Sequence, residues 1–258
     1  MSSPFVRRAA QVVVLAGSGL MFYAKLSDGT LFFYINQRFA WLSLLAALLY
    51  VALALTVLYS ELRDRQTTPT DAAEVLWLEP RAAHRASDGR ISWQGIGLLA
   101  LPIVLSLIVP AQPLGAGAIS NRGISLTAPE QSSSTSRFQR PSAAPQNILD
   151  WLREFSSLGD PRALDGRQVD VTGFVYRDQR NQPDQFWVSR FVVSCCVADA
   201  AAVGMLVQTS GAEALTVDSW VRVIGKLRAG EFAGELIPIV IAERIEPIQQ
   251  PAHPYLYP

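Results

Sequence analysis

The chain has 258 residues, 50% of them hydrophobic, and its mean hydropathy of +0.21 is high for a fully soluble protein. Its 22 basic and 22 acidic residues cancel, so no global charge favours nucleic acid or an anionic surface as a partner. The two cysteines are adjacent, which excludes a disulfide framework, and two histidines leave few ligands for a metal site built by this chain alone.

Three apolar segments predict a membrane α-helical N-terminal part with spans at about residues 9–26, 39–59 and 91–109. The second has no charged side chain, and at about 1.5 Å per residue it is roughly 31 Å long, which matches the hydrocarbon core of a bilayer. Arg7 and Arg8 before the first segment also fit a cleaved signal peptide. Because no small-x-small cleavage pattern follows, we favour an uncleaved helix.

The distribution of basic residues predicts the orientation of the spans. The connection at residues 61–90 carries five arginines, which are Arg63, Arg65, Arg81, Arg85 and Arg90. Basic connections stay in the cytoplasm. We therefore expect a multi-pass protein of the bacterial inner membrane, with a cytoplasmic N-terminus and everything after Val109 outside.

The remainder of the chain divides by composition. Residues 1–114 form the predicted transmembrane region, and residues 115–145 are rich in Ser, Ala, Pro and Gly and predict a flexible linker. Residues 146–248 predict a globular extracytoplasmic domain, and residues 249–258 a tail.

The globular domain begins with an amphipathic helix, ended by Gly159 and Pro161, whose apolar residues share one face: Ile148, Trp151, Leu152, Phe155 and Leu158. Five strand-like runs follow, at residues 168–176, 185–197, 203–208, 220–226 and 236–245. Turns are expected at Asp165-Gly166 and Ala229-Gly230. One helix followed by five short strands predicts a small all-β, OB-like barrel, with a β-sandwich fragment as the alternative.

The cysteines occur late in the second predicted strand. Strand alternation places Cys195 inward and Cys196 outward, although a bulge near the strand end would bring both thiols together with Asp199. Three hypotheses remain open for the pair. The thiols are small buried hydrophobes, or a redox pair, or metal ligands together with Asp199.

A metal site of Cys195, Cys196 and Asp199 would suit zinc or another thiophilic ion. The fourth ligand would come from a partner, from water or from His253, the one histidine in the same compartment. His84 lies in the predicted cytoplasmic connection and cannot reach the site.

Other functional classes find little support in the sequence. The chain has no phosphate-binding glycine loop, no His-Glu-x-x-His and no Gly-x-Ser-x-Gly, so we expect no enzyme. Between Asp150 and Glu246 there are ten basic and fourteen acidic residues, which argues against nucleic-acid binding by the barrel.

The chain resembles the YcgQ-like family of bacterial permease subunits. The resemblance is carried by the three spans and by several short motifs: Pro113-Leu114-Gly115, Asn121-Arg122-Gly123, Cys195-Cys196-Val197-Ala198-Asp199-Ala200, Asp218-Ser219-Trp220-Val221 and Gly225-Lys226. It implies a small accessory subunit beside a larger multi-spanning permease, with Cys195, Cys196 and Asp199 at the family's signature positions.

The resulting hypothesis is an accessory subunit of a two-component membrane permease that handles a metal ion through the Cys-Cys-x-x-Asp segment. Its partners would be the permease and the lipid bilayer, and no nucleic acid. The alternative is a membrane-anchored metal-binding or thiol-redox module that acts without a permease.

Overall fold

A computed structural model describes residues 4–66, 92–125 and 146–258. The chain folds into two compact units. The helical unit comprises Met1–Leu31 and Arg38–Ala111, and the β unit comprises Phe32–Gln37 and Gln112–Pro258. The short segment Phe32–Gln37, here called the strap, thus belongs to the β unit although it lies between two helices of the other unit. The composition had placed it within the transmembrane region.

The helical unit contains α1 (Pro4–Ser27), α2 (Ala40–Gln66) and α3 (Trp93–Ile108), one for each predicted span. Two stretches, Phe5–Ser27 and Gln37–Arg63, are long and apolar enough to cross a membrane, whereas α3 is shorter. Glycine lets α1 approach α2 closely, since a Cβ at Gly19 would lie 3.1 Å from the carbonyl oxygen of Ala47. An ion pair of 2.6 Å between Arg8 and Glu61 joins the start of α1 to α2.

The first part of the predicted linker is folded, which corrects that prediction. Residues 116–122 form α4 (Ala116–Arg122), and Ile119 is only 1% exposed. The backbone amide of Ala116 donates to the Asp218 carboxylate, and Ser125 bridges to Val203. The many small residues in this segment predicted a linker, yet the apolar side chains of Ala116 and Ile119 pack against the sheet. The rest of the linker, residues 126–145, lies outside the described residues.

Helix α5 (Ile148–Leu158) has the predicted bounds. Asn147 caps its N-terminus in a reciprocal capping box with Asp150, and Gly159 follows in the left-handed conformation at φ 70°. Its buried face packs into the core of the sheet through Ile148, Leu149, Trp151 and Leu152.

The sheet has five strands: β1 (Gln168–Tyr176), β2 (Gln185–Val192), β3 (Ala201–Gln208), β4 (Trp220–Phe232) and β5 (Glu235–Pro247). Their order is β1-β2-β3-β5-β4, and β4 pairs back with β1, which closes the sheet into a barrel. All neighbours are antiparallel except β3 and β5.

The interior of the sheet is lined by apolar residues from every strand. In β1, Val169, Val171 and Val175 face this core. Phe174 alternates with these residues and so lies on the other face of β1, where it packs in a second cluster and its ring stacks on Phe191 at 5.8 Å. The outer face of β1 therefore carries an additional packing surface.

The turn after β4 corrects a second prediction. Ala229 and Gly230 lie within β4, and the chain reverses at Ala233-Gly234, with φ of 54° and 86°. Positive φ at both central residues matches the right-handed twist of a two-residue hairpin. A Cβ at Gly230 would lie 2.5 Å from Cδ1 at the end of the Ile239 side chain, so that side chain would have to move to accommodate it.

The C-terminal tail is an integral part of the β unit. Tyr255 and Leu256 are 3% and 5% exposed, and the Leu256 backbone pairs with Val192 of β2. The guanidinium of Arg190 donates to the carbonyl of Pro254 at 3.0 Å. The Tyr255 hydroxyl donates to the carbonyl of Phe33 and accepts from the amide of Leu114. One side chain thus ties the tail to the strap and to the start of the folded linker.

Candidate functional site

The two cysteines lie in a turn, not in a strand. β2 ends at Val192, and residues 193–199, here called the dithiol turn, finish in a 3-10 turn at Val197–Asp199. The prediction that Cys195 points inward is therefore wrong: Cys195 is exposed and Cys196 is half-buried. Strand alternation does not apply beyond the end of the ladder.

Asp199 organises the amide side of this turn. Its carboxylate accepts hydrogen bonds from three consecutive backbone amides, those of Ser194 at 3.0 Å, Cys195 at 2.7 Å and Cys196 at 3.4 Å. Both carboxylate oxygens accept these hydrogen bonds, so Asp199 stabilises the turn whether or not it also binds a ligand. Oδ2 accepts two of these amides and Oδ1 only one, so Oδ1 is the oxygen with a lone pair that the backbone leaves open to a ligand.

Asn36 of the strap organises the carbonyl side. Its side-chain amide donates to the carbonyls of Val193 at 3.3 Å and Ser194 at 2.9 Å, and its backbone amide donates to the carbonyl of Cys195 at 2.9 Å. Asn36 is 6% exposed. A fourth hydrogen bond runs from the amide of Val197 to the carbonyl of Tyr34 at 2.9 Å.

The turn brings the predicted site residues together. The two sulfur atoms lie 3.6 Å apart in free thiols, and one ligand atom from each of Cys195, Cys196 and Asp199 lies within 4.8 Å of the others. Two thiolates on one tetrahedral zinc, each at about 2.3 Å, would be about 3.8 Å apart. The sulfur spacing therefore suits a single thiophilic ion with little movement.

The Asp199 carboxylate makes the Cys195 thiol less acidic. The hydrogen bond to Asp199 and then the neighbouring Cys196 thiol raise the pKa of Cys195 to about 11. Partial burial opposes ionisation of Asp199, yet hydrogen bonds from the Cys195 thiol and the turn amides lower its pKa below the ordinary value. At neutral pH the turn thus holds a carboxylate beside a protonated Cys195, and an ion that binds both sulfurs must displace the thiol protons.

His253 does not join this group of ligand atoms. It is exposed, its Nδ1 lies 2.8 Å from Nε2 of Gln37, and its ring meets Phe32 edge-on at 6.3 Å. His84 lies outside the described residues. Within the described ranges, Cys195, Cys196 and Asp199 form the only cluster of this kind.

Family models match almost the whole chain. The DUF1980 N-terminal domain covers residues 10–125 and the DUF1980 C-terminal domain covers residues 139–258. This chain belongs to the DUF1980 family. The family assignment from the sequence is confirmed, and the dithiol turn lies in the C-terminal domain of the family while the strap lies in its N-terminal domain.

Two curated relatives of this DUF1980 protein align over nearly their whole length. A Streptococcus mutans protein named "Putative two-component membrane permease complex subunit" is 26% identical over 284 residues, covering 95% of this chain and 97% of that protein. The Bacillus subtilis protein named "UPF0703 protein YcgQ" is 22% identical over 280 residues, covering 96% and 98%. Together with the apolar helices, these relatives indicate a membrane protein.

The contribution of the strap to this site was not predicted from the sequence. A signal was present, since residues 31–35 read Leu-Phe-Phe-Tyr-Ile in a connection between two apolar helices. A short solvated loop has no need of five consecutive apolar side chains. Asn36 directly after them is the polar residue that reaches the turn.

Proposed function

We propose that this protein is an accessory subunit of a two-component membrane permease in the bacterial cell membrane. The supporting observation is full-length similarity to a relative that carries this name, in a chain with apolar N-terminal helices. The partner would be a larger, multi-spanning subunit. The described helices form a small bundle, which favours assistance to a transport path over a path of its own.

The position of the strap supports three membrane spans. The strap connects α1 to α2 and is part of the β unit. A β unit that contains this connection must lie on the same side of the bilayer as the connection. The chain returns across the bilayer in α2, so it must cross once more before Gln112, and α3 is the described helix between them. At about 24 Å, α3 is short for a span, a mismatch that local thinning of the bilayer accommodates.

The proposed orientation places the N-terminus in the cytoplasm and the β unit outside the cell. It rests on the arginine-rich connection after α2. Of those five arginines, Arg63 and Arg65 lie within α2, whereas Arg81, Arg85 and Arg90 lie outside the described residues.

We assign the barrel of the β unit to the OB type. Five strands in the closed order β1-β2-β3-β5-β4, with a filled interior, support this assignment. The role we propose for this barrel is to carry the dithiol turn.

The proposed role of the dithiol turn is to bind zinc or another thiophilic ion for the permease, without catalysis. The observation that carries it is the 3.6 Å separation of the two free sulfurs beside the Asp199 carboxylate. Binding forms two metal–sulfur bonds and releases one proton from each thiol. A partner residue or water would complete the coordination.

Co-purification and metal analysis test the proposal together. A tagged full-length copy, extracted from membranes in mild detergent, should retain a larger membrane protein and about one equivalent of zinc after dialysis against micromolar zinc. The double variant Cys195→Ser/Cys196→Ser should retain the partner and lose the metal. Recovery of the protein alone, with zinc bound, would favour the metal-binding module that acts without a permease. Equal zinc content in both forms would refute the metal site.

A further inference from the structure

The dithiol turn is held by two residues that are distant in sequence. Asp199 accepts from the amides of residues 194–196, and Asn36 donates to the carbonyls of residues 193–195. The two sulfurs project from a backbone whose amide and carbonyl groups are both engaged. A displaced Asn36 would leave three carbonyls to find other donors, and the backbone would move with them.

The strap that supplies Asn36 is short and tied at several points. Ile35 forms a bridge with Cys196, the carbonyl of Tyr34 accepts from Val197, and the carbonyl of Phe33 accepts from Tyr255. Four residues separate the strap from the end of α1 at Ser27, and two separate it from the start of α2 at Ala40. A change in how firmly the strap is held therefore acts on the connection between two apolar helices.

We infer that Asn36 is a positioning residue for the thiol pair, and that the strap, which is itself the middle of the connection between α1 and α2, transmits the state of that pair by being held more firmly when the pair binds an ion. The metal-dependent half of this inference rests on the proposed function, whereas the positioning half does not. If holding the strap raises the affinity of the turn for an ion, the bound ion must in turn stabilise the held strap. By thermodynamic linkage, the two effects are of the same factor.

The positioning half is tested on full-length protein in detergent with phenylarsine oxide. This reagent bonds to both sulfurs at once, and the two thiol protons leave with its oxygen as water. The test variant is Asn36→Asp, which keeps the shape of the side chain and removes its two donated hydrogen bonds. The matched control is Gln37→Ala, which changes a strap residue that contacts His253 and not the turn.

Asn36→Asp should slow bridging by phenylarsine oxide at least about fivefold, the lower end of typical coupling between sites. Gln37→Ala should stay within about twofold of the wild type. Alkylation of single thiols by iodoacetamide needs no fixed sulfur spacing, so its rate measures how far the new carboxylate changes thiol ionisation, and the bridging rates are compared after division by it. Equal bridging rates for Asn36→Asp and the wild type would overturn the positioning role.

The transmission half is tested by hydrogen exchange of strap amides in the wild type, with and without zinc. Zinc should slow exchange of the Asn36 amide at least about fivefold, with no change in Cys195→Ser/Cys196→Ser. Bound zinc with unchanged strap exchange would overturn the transmission and leave the proposed function intact. Absence of zinc binding would refute the proposed metal site and with it the transmission, while the arsenic test would still decide the role of Asn36.

Discussion

Asn36 and Asp199 bind opposite edges of the same turn. Asn36 donates to the carbonyls of residues 193–195, and Asp199 accepts from the amides of residues 194–196, one residue further along the chain. Hydrogen bonds within the protein alone account for this arrangement. Because they restrict the conformation of the turn, they lower the ordering cost of binding an ion.

The reactivity of Cys195 should depend on pH through Asp199. In a Cys196→Ser background, the remaining hydrogen bond to Asp199 should keep the pKa of Cys195 above its ordinary value, so iodoacetamide alkylation should rise steadily from pH 7 to pH 10. Adding Asp199→Asn removes the negative charge and should shift this profile to lower pH. Identical profiles with and without Asp199→Asn would contradict the assigned cause.

Gly225→Ala should destabilise the β unit by about 1–3 kcal/mol, as overpacking in a core does. Gly225 lies at a β-bulge between β4 and β5, and a Cβ there would collide with the backbone carbonyl of Ile241. Chemical unfolding followed by tryptophan fluorescence measures the change. Gly117→Ala in α4 is the control, because open space surrounds that position and its φ is not positive. Similar losses from both substitutions would argue against the close approach.

Ile119→Ala should cost about 2–5 kcal/mol of unfolding free energy, the range for large-to-small changes in a core. Ile119 is 1% exposed and packs in the cluster outside the barrel. The neighbouring Ser120→Ala changes an exposed side chain and should be nearly neutral. The free energy of unfolding is measured for both variants in the same detergent. An unchanged value for Ile119→Ala would show that residues 116–122 act as a linker and do not pack on the sheet.

The ion pair of Asp170 and Arg222 should contribute stability that depends on pH. Two hydrogen bonds from the guanidinium, at 2.8 and 2.5 Å, hold the pKa of Asp170 below its ordinary value. A lowered pKa in the folded state adds stability above the unfolded pKa of about 3.9, and this stability is lost as pH falls through the folded value.

The side chains of this pair are 37% and 44% exposed, so the contribution should remain below about 1 kcal/mol. Asp170→Asn should lower the unfolding midpoint slightly at pH 7 and not at pH 2. A difference of the same size at both pH values would show that the ionised carboxylate is not its source.

Thiol labelling of intact cells tests the topology. A membrane-impermeant maleimide should label Cys195 and Cys196 in the wild type. In the Cys195→Ser/Cys196→Ser background it should label Asp28→Cys, before the strap, and not Thr68→Cys, in the connection after α2. Labelling of Thr68→Cys alone would reverse the proposed orientation, and labelling of both positions would contradict a span between them.

Local signals predicted much of the β unit. β1 and α5 have the expected bounds, because residues with clear periodicity or capping also pack that way in the fold. The second strand ends five residues early, at Val192, although the run from there to Val197 contains only one polar residue, Ser194. Its end is decided by the partners, since β3 begins at Ala201 opposite Val192 and the tail takes over the pairing.

Long-range contacts explain which site residues could not be predicted from the sequence. Cys195, Cys196 and Asp199 are predictable because they are close in the chain, but Asn36 lies 157 residues before Val193. No periodicity or spacing connects residues so far apart. The burial of Ala116 and Ile119 could not be predicted for the same reason, since they pack against a sheet whose strands lie later in the sequence.

The place of the strap in the chain also determines which fragments can reproduce the native thiol pair. A polypeptide that starts at residue 146 would contain the whole barrel, both sulfurs and Asp199, yet it would lack Asn36 and α4. In this fragment the turn would keep its hydrogen bonds to Asp199 and lose those to Asn36. Metal affinities measured on it would therefore describe a pair of sulfur ligands that is held less firmly than in the full-length protein. Supplying residues 28–40 as a separate peptide should restore part of the difference.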